Sequence, residues 1–289
     1  QTARVAEYYQ DDTYQRYPGF RLLALDSSKL RLPESREIRD DFGTLNTTNG
    51  KDNHSIGKHA HGLASVCYDV LNRMVIDSQL GGARAYEVDL AVRHLPATQA
   101  NDLLLRDRGY ASDLRLATCI QRQRQFVVRC SAGSFQTARQ MLEGLGADNQ
   151  VINLTPSLGQ RLTIIALGLP SVLTVRFVRV RLPNGELEVL VTNLLSETLF
   201  PTSSFSRLYH LRWGVETLYG VVKTRLQLEN FSGLTAESVR PDFFATIFLT
   251  HLESVLTEEA TTKLKKKTAK NRHPQPVNQA VSFNAIKNY

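Results

Sequence analysis

The sequence predicts an α/β fold, a core of strands and helices that carries a smaller β-rich part, and three observations predict it. Short apolar runs alternate with helical patterns through the first half of the chain. From about Val151 to Leu195 the character turns to β-type runs, and after Pro201 two long helical segments follow. Asn184-Gly185 sits between two of the β-type runs, which is the strongest short-range hairpin signal a sequence offers.

The elements follow in order. Residues 1–19 are polar, tyrosine-rich and irregular, an N-terminal remnant ahead of the first strand. Phe20 to Ser28 (FRLLALDSS) reads as a buried strand that meets polar residues at its carboxyl end. Gly43 to His61, rich in Gly, Asn, Thr and His, is expected to be a long loop. Two strand-like runs, GLASVCYDVLN and RMVIDSQLG, meet at Asn72-Arg73. Arg84 to Leu95 reads as a helix, Asn101 to Tyr110 as a strand with an Asp at its end, Ser112 to Gln121 as a short helix and Gln125 to Cys130 as a strand. LTIIALGL, LTVRFVRVRL and ELEVLVTNLL are strand runs. Ser203 to Leu228 and Ser238 to Leu256 are expected to be helices. The tail, with six basic residues from Lys263 to Arg272 and no apolar period, is expected to be solvated and mobile. The boundaries are 1–19, 20–150 for the first part of the core, 151–200 for a β-rich insertion, 201–256 for the C-terminal helices and 257–289 for a basic tail.

Composition narrows the class. Of the 289 residues 42% are hydrophobic and 22% charged, which excludes disordered, collagen-like and coiled-coil chains. The longest mostly apolar stretch, Leu162 to Val175, is interrupted by Gly168 and Pro170 and falls short of the roughly 20 residues a membrane helix needs. Cys67, Cys119 and Cys130 have no paired metal-ligand spacing and cannot make a disulfide framework, so they are expected in the core of a protein from a reducing compartment. Lys plus Arg number 35 against 28 Asp plus Glu, a balance of +7 that favours a polyanionic partner. The chain opens at Gln1 without Met and reads as a fragment or a processed remainder.

The helix from Ser203 carries the chemistry. On an ideal helix Tyr209, Arg212, Glu216 and Lys223 fall within about 60° of one another and span about 21 Å of rise, the reach of several nucleotides. Leu208, Leu211, Val215, Leu218 and Val222 form a separate apolar stripe. A carboxylate flanked by cations suits a site that holds both a metal and a phosphate backbone. An ordinary i,i+4 ion pair between Arg212 and Glu216 accounts for the same residues equally well. Trp213 and His210 are expected to pack rather than catalyse. Asp26 and Asp107 each end a buried strand, where a carboxylate emerges on rigid backbone. Each alone is an ordinary strand terminator. Together with Glu216 they make three hard oxygen ligands of the kind Mg²⁺ or Mn²⁺ takes, whereas zinc would want His and Cys.

ALDSSKLRLP (Ala24 to Pro33), LLLRDRGYAS (Leu103 to Ser112) and YHLRWGVETLYGVVK (Tyr209 to Lys223) resemble the DDE transposases of the insertion-sequence-four group. The last segment matches that group's signature of Tyr, two residues, Arg, three residues, Glu, six residues, Lys at every position. Asp26 and Asp107 are 81 residues apart and Asp107 and Glu216 are 109 apart, the longer gap being where a β-rich insertion falls. The resemblance covers about Phe20 to Leu256.

It implies an RNase H-like core in which Asp26, Asp107 and Glu216 hold two Mg²⁺ or Mn²⁺ ions, and in which Tyr209, Arg212 and Lys223 grip the phosphates of the transposon end. It further implies cleavage at the element's terminal repeats, commonly through a hairpin, and joining of the 3′-ends to target DNA. The partners would be DNA and a second copy of the chain, in the nucleoid-containing cytoplasm of a bacterium. Group members carry a helical N-terminal region ahead of the first Asp. Only 25 residues precede Asp26 here, so a truncated or decayed copy that binds DNA without cutting it is the alternative, alongside a nuclease that cuts without joining. His54, His59 and His61 match no zinc spacing, and with Lys51 and Lys58 are expected near DNA.

Overall fold

In the computed structural model, which describes residues 8–10, 14–48, 55–271 and 277–287, the first strand β1 (Arg21–Arg31) opens with five consecutive buried residues. Such an unbroken run marks a strand covered on both faces, as parallel strands are. β5 (Asp102–Arg106) is buried throughout and pairs with β1 in parallel, Arg21 opposite Asp102 and Leu25 opposite Arg106. The described residues form two compact units. One holds Gln15–Asp26 and Leu95–Val215; the other holds Ser27–His94 and Glu216–Tyr289 with the N-terminal residues up to Tyr14.

In the first unit the strand order is β1, β5, β6 (Gln125–Cys130), β9 (Leu187–Thr192), β8 (Leu173–Arg181) and β7 (Asn149–Leu154). β5 and β6 are parallel, whereas β6–β9, β9–β8 and β8–β7 are antiparallel, so the sheet is mixed. The β8–β9 turn is where Asn184-Gly185 predicts it, with Gly185 at φ 87°. The Arg21–Asp102 pair locks the start of β1 to β5 through two hydrogen bonds of 2.7 and 2.8 Å, both side chains being buried. Phe126, Val127, Val178, Leu190 and Val191 fill the core. Cys119 and Cys130 are buried free thiols in this unit and Cys67 in the other, as the composition predicts.

The other unit holds two antiparallel pairings, β2 (Thr44–Thr48) with β3 (Ser55–Asp69) and β3 with β4 (Met74–Gly82), together with the second half of β1. Helices α1 (Arg36–Phe42) and α2 (Glu87–Arg93) pack on β3 and β4. A 32-residue helix, α8 (Ala236–Lys267), packs on β4 and is capped reciprocally by Thr235 and Ser238. Its last turn carries Lys265, Lys266 and Lys267, a placement the helix dipole favours. No helix among the described residues is long and apolar enough to cross a membrane.

Several expectations are corrected. Thr44–Thr48 and Ser55–His61 are strand rather than loop, because a strand with one face in water tolerates the polar Thr, Asn and His that suggested a loop. His59 and His61 sit on β3, with His59 Nδ1 2.9 Å from Glu34 Oε1; His54 and Lys51 lie outside the described residues. The Lys-rich segment is helical as far as Lys267. LTIIA belongs to α5 (Leu158–Ala166), not to a strand. That helix ends in a double backbone clasp, Gly168 N–H to Ile165 O and Leu169 N–H to Ile164 O, with Gly168 at φ 63°. Only Ile164 of its apolar residues is buried, so its hydrophobicity reflects no core strand.

Candidate active site

The segment expected to be one helix from Ser203 to Leu228 is a succession of short ones. α6 (Phe205–His210) passes through a 3₁₀ turn at Leu211–Trp213 into α7 (Gly214–Gly220) and a π turn at Val221–Arg225. The glycines at either end of α7 and the changes in winding shift the angular phase, so an ideal wheel does not describe the whole line. Four residues of the apolar stripe, Leu208, Val215, Leu218 and Val222, are buried, and Leu211 is half-buried.

Asp26 and Asp107 come together through strand register. Each is the residue after the last β1–β5 pair, Leu25 and Arg106, on neighbouring parallel strands. Asp107 keeps an extended backbone, φ −82° and ψ 175°, so its side chain follows the alternation of the strand. Arg212 Nη1 lies 3.6 Å from Asp26 Oδ2. Arg129, on β6, donates from Nε to Asp107 Oδ1 at 2.8 Å. The Tyr209 hydroxyl donates to the Arg106 carbonyl at 3.3 Å and lies 3.4 Å from Asp107 Oδ1.

Burial of Asp107 would raise its carboxyl pKa, but the Arg108 backbone N–H and the Arg129 charge outweigh it and hold the group below its usual range. Burial pushes the Tyr209 phenol well above its ordinary value, so it stays a neutral donor. Tyr209 and Arg212 are each only 3% exposed. Trp213 and His210, expected to pack, are exposed instead; the Trp213 ring lies 5.5 Å from the Arg212 guanidinium carbon.

Glu216 and Lys223 belong to the other unit. Glu216 is half-buried on α7. Lys223 Nζ donates to the Lys29 carbonyl at 2.5 Å and lies 4.0 Å from Glu229 Oε1. Among the described residues no group of three or more His, Cys, Asp or Glu is placed to hold a metal ion. β1 runs on to Arg31, so Asp26 lies within its strand and ends only the segment paired with β5, whereas Asp107 follows the end of β5. The two carboxylates nevertheless suit a hard divalent cation: oxygens on fixed backbone, which Mg²⁺ and Mn²⁺ take together with water and phosphate. Sequence reasoning missed Arg129 and Glu188, whose side chains meet at 3.0 Å. The available signal was a lone arginine in the otherwise apolar run FVVRC.

A mixed sheet flanked by helices, with acidic residues at matching positions on two adjacent parallel strands, is the architecture of the RNase H-like class of nucleic-acid-processing domains. Within that class, the chain belongs to the transposase DDE domain family, which matches residues 17–251. The family consists of enzymes that cut nucleic acid during transposition. A solved structure of piggyBac transposase, in a synaptic complex with hairpin DNA, has a similar fold, with a TM-score of 0.51 at 8% identity. The likeness covers 99% of this chain and 55% of that one, so the chain spans about half the length of that transposase. No curated protein sequence matches the chain.

Proposed function

We propose that the chain is the catalytic domain of a transposase of the insertion-sequence-four group, which cuts phosphodiester bonds at the ends of its element and joins the 3′-ends to target DNA. The observation that carries this is the β1–β5 register, which sets Asp26 and Asp107 at equivalent positions just past the paired segment of two neighbouring parallel strands, in a chain of the transposase DDE family. Glu216, at its place in the Tyr–Arg–Glu–Lys spacing, is the third carboxylate.

Asp26, Asp107 and Glu216 would hold two Mg²⁺ or Mn²⁺ ions. Bound there, such ions make water or a 3′-hydroxyl nucleophilic and stabilise the departing oxygen. The protein's own groups orient the carboxylates. Arg212 beside Asp26 and Arg129 beside Asp107 fix their directions, Arg129 also holds the Asp107 carboxyl below its usual range, and the Tyr209 phenol steadies the end of β5. Tyr209 and Arg212 are buried and act from beneath the site, holding Asp107 and Asp26, while Lys223, the more accessible of the three, meets the transposon-end phosphate as a point charge. The net charge of +7 adds sequence-independent attraction to DNA. Two copies, one on each end, would make the paired complex in a bacterial cytoplasm.

The test is incubation with DNA carrying the element's own flanking ends, with Mg²⁺ or Mn²⁺, for the wild type, Asp26→Asn and Glu216→Gln. Metal-dependent cleavage and end joining, both lost in folded variants, are expected. Undiminished activity in either variant removes that residue from the site.

A further inference from the structure

The guanidinium of Arg129 is divided between two carboxylates. Nε donates to Asp107 Oδ1 at 2.8 Å and Nη1 donates to Glu188 Oε1 at 3.0 Å. The antiparallel pairing of β6 and β9 sets Arg129 opposite Leu190, and Glu188 lies two residues along from Leu190 on the same face. Diagonal neighbours of this kind are within reach of long side chains. All three groups remain partly accessible, at 27% for Arg129, 30% for Asp107 and 17% for Glu188. Arg129 and Glu188 line a cleft of about 460 Å³ together with Arg108 and Ser131.

The arrangement has an electrostatic consequence. A guanidinium cannot shed its proton, so Arg129 must keep an anionic partner wherever it is desolvated. Paired with Asp107 alone, it would neutralise the carboxylate that a divalent cation needs and compete with that cation for the same oxygen. Glu188 gives Arg129 a second acceptor, leaving the trio with one net negative charge. Asp107 can then turn an oxygen to a cation without leaving Arg129 unpaired.

We propose that Glu188 is a positioning residue for the reaction, acting through Arg129 to orient the Asp107 carboxylate and set its affinity for a divalent cation. The proposal rests on the reading of Asp107 as a metal ligand. Outer partners of metal ligands typically contribute about 10- to 100-fold in metal affinity, and the lower end is expected here.

The experiment is Mn²⁺ titration of the full chain followed by electron paramagnetic resonance, with thermal unfolding of each variant alongside. Glu188→Gln, which keeps an acceptor but removes its charge, should weaken Mn²⁺ binding about tenfold. The same substitution in an Arg129→Ala background should change affinity no further, because its route of action is gone. Glu188→Asp, charged but shorter, should fall between the two and carries the comparison if Glu188→Gln unfolds. Wild-type affinity in both Glu188 variants overturns the positioning role, as does an equal loss with Arg129 absent. Asp107→Asn serves as the control. If it leaves Mn²⁺ binding unchanged, the assignment of Asp107 as a ligand fails and this inference fails with it. A site that Asp107→Asn abolishes but Glu188 does not affect overturns the inference alone.

Discussion

Asp26 and Asp107 occupy equivalent positions on two neighbouring parallel strands, each one residue beyond the last paired position, and each has an arginine beside it. The equivalence is set by backbone hydrogen bonding rather than by side-chain choice, so it is as rigid as the sheet itself. Its foundation lies at the far end of the same strands, where Arg21 and Asp102 form a buried bidentate pair.

Removing one partner of that pair strands the other. Asp102→Ala is expected to cost about 3 to 5 kcal/mol, because Arg21 is left charged and buried. Urea denaturation measures it directly. A loss below about 1 kcal/mol, the size of an exposed pair, would show that Arg21 escapes to water.

Asp77 predicts an acid-sensitive element in the unit that contains β3 and β4. Burial would raise its carboxyl, but His94 Nδ1 at 2.6 Å and Gln79 Nε2 at 2.9 Å hold it below the ordinary range. A carboxyl with a depressed folded pKa stabilises the fold above its unfolded value, near 3.9, and loses that contribution as pH falls through the folded value. The urea midpoint should therefore fall as pH drops below about 4, and less steeply in Asp77→Asn. Parallel pH profiles for the two proteins would remove Asp77 as the cause.

Gly168 distinguishes helix from strand at LTIIA. Its φ of 63° is a left-handed position, and a β-carbon there would meet nothing within 4 Å, so only backbone strain opposes substitution. Gly168→Ala should cost about 1 kcal/mol if α5 ends in this clasp. A neutral or stabilising result would fit an extended chain instead.

Lys223 carries the prediction for DNA. Lys223→Ala should weaken binding to the element's ends and reduce the slope of log K against log salt by about one. An unchanged slope means that its ammonium makes no phosphate contact and serves only the Lys29 carbonyl and Glu229.

Where burial was continuous, the sequence was enough. Leu22 to Leu25, Leu103 to Leu105 and Phe126 to Val128 read as strands because apolar runs of that length have few other uses, and their ends exposed Asp26 and Asp107 as candidates. Asn184-Gly185 located a turn because few other residue pairs tolerate its geometry. Long-range pairing was not legible: Arg129 and Glu188 meet across 59 residues through a strand order that periodicity does not encode. Local pattern also misled where tertiary structure overrode it. The β-branched Thr163, Ile164 and Ile165 suggest a strand, yet the Gly168 and Pro170 that follow mark a helix end. Tyr209 and Arg212 look like a solvated stripe on a wheel, yet both are buried.

As proposed, Asp26, Asp107 and Glu216 serve one divalent-cation site. Fe²⁺, which divalent sites of this kind accept, generates radicals that cut the polypeptide beside its ligands when ascorbate and peroxide are added. Mapping those cuts by mass spectrometry tests the claim without knowledge of the element's ends. Cuts near all three residues, suppressed by excess Mg²⁺ and abolished together in Asp107→Asn, are the predicted result. Cuts near Asp26 and Asp107 that never extend to Glu216 would contradict it.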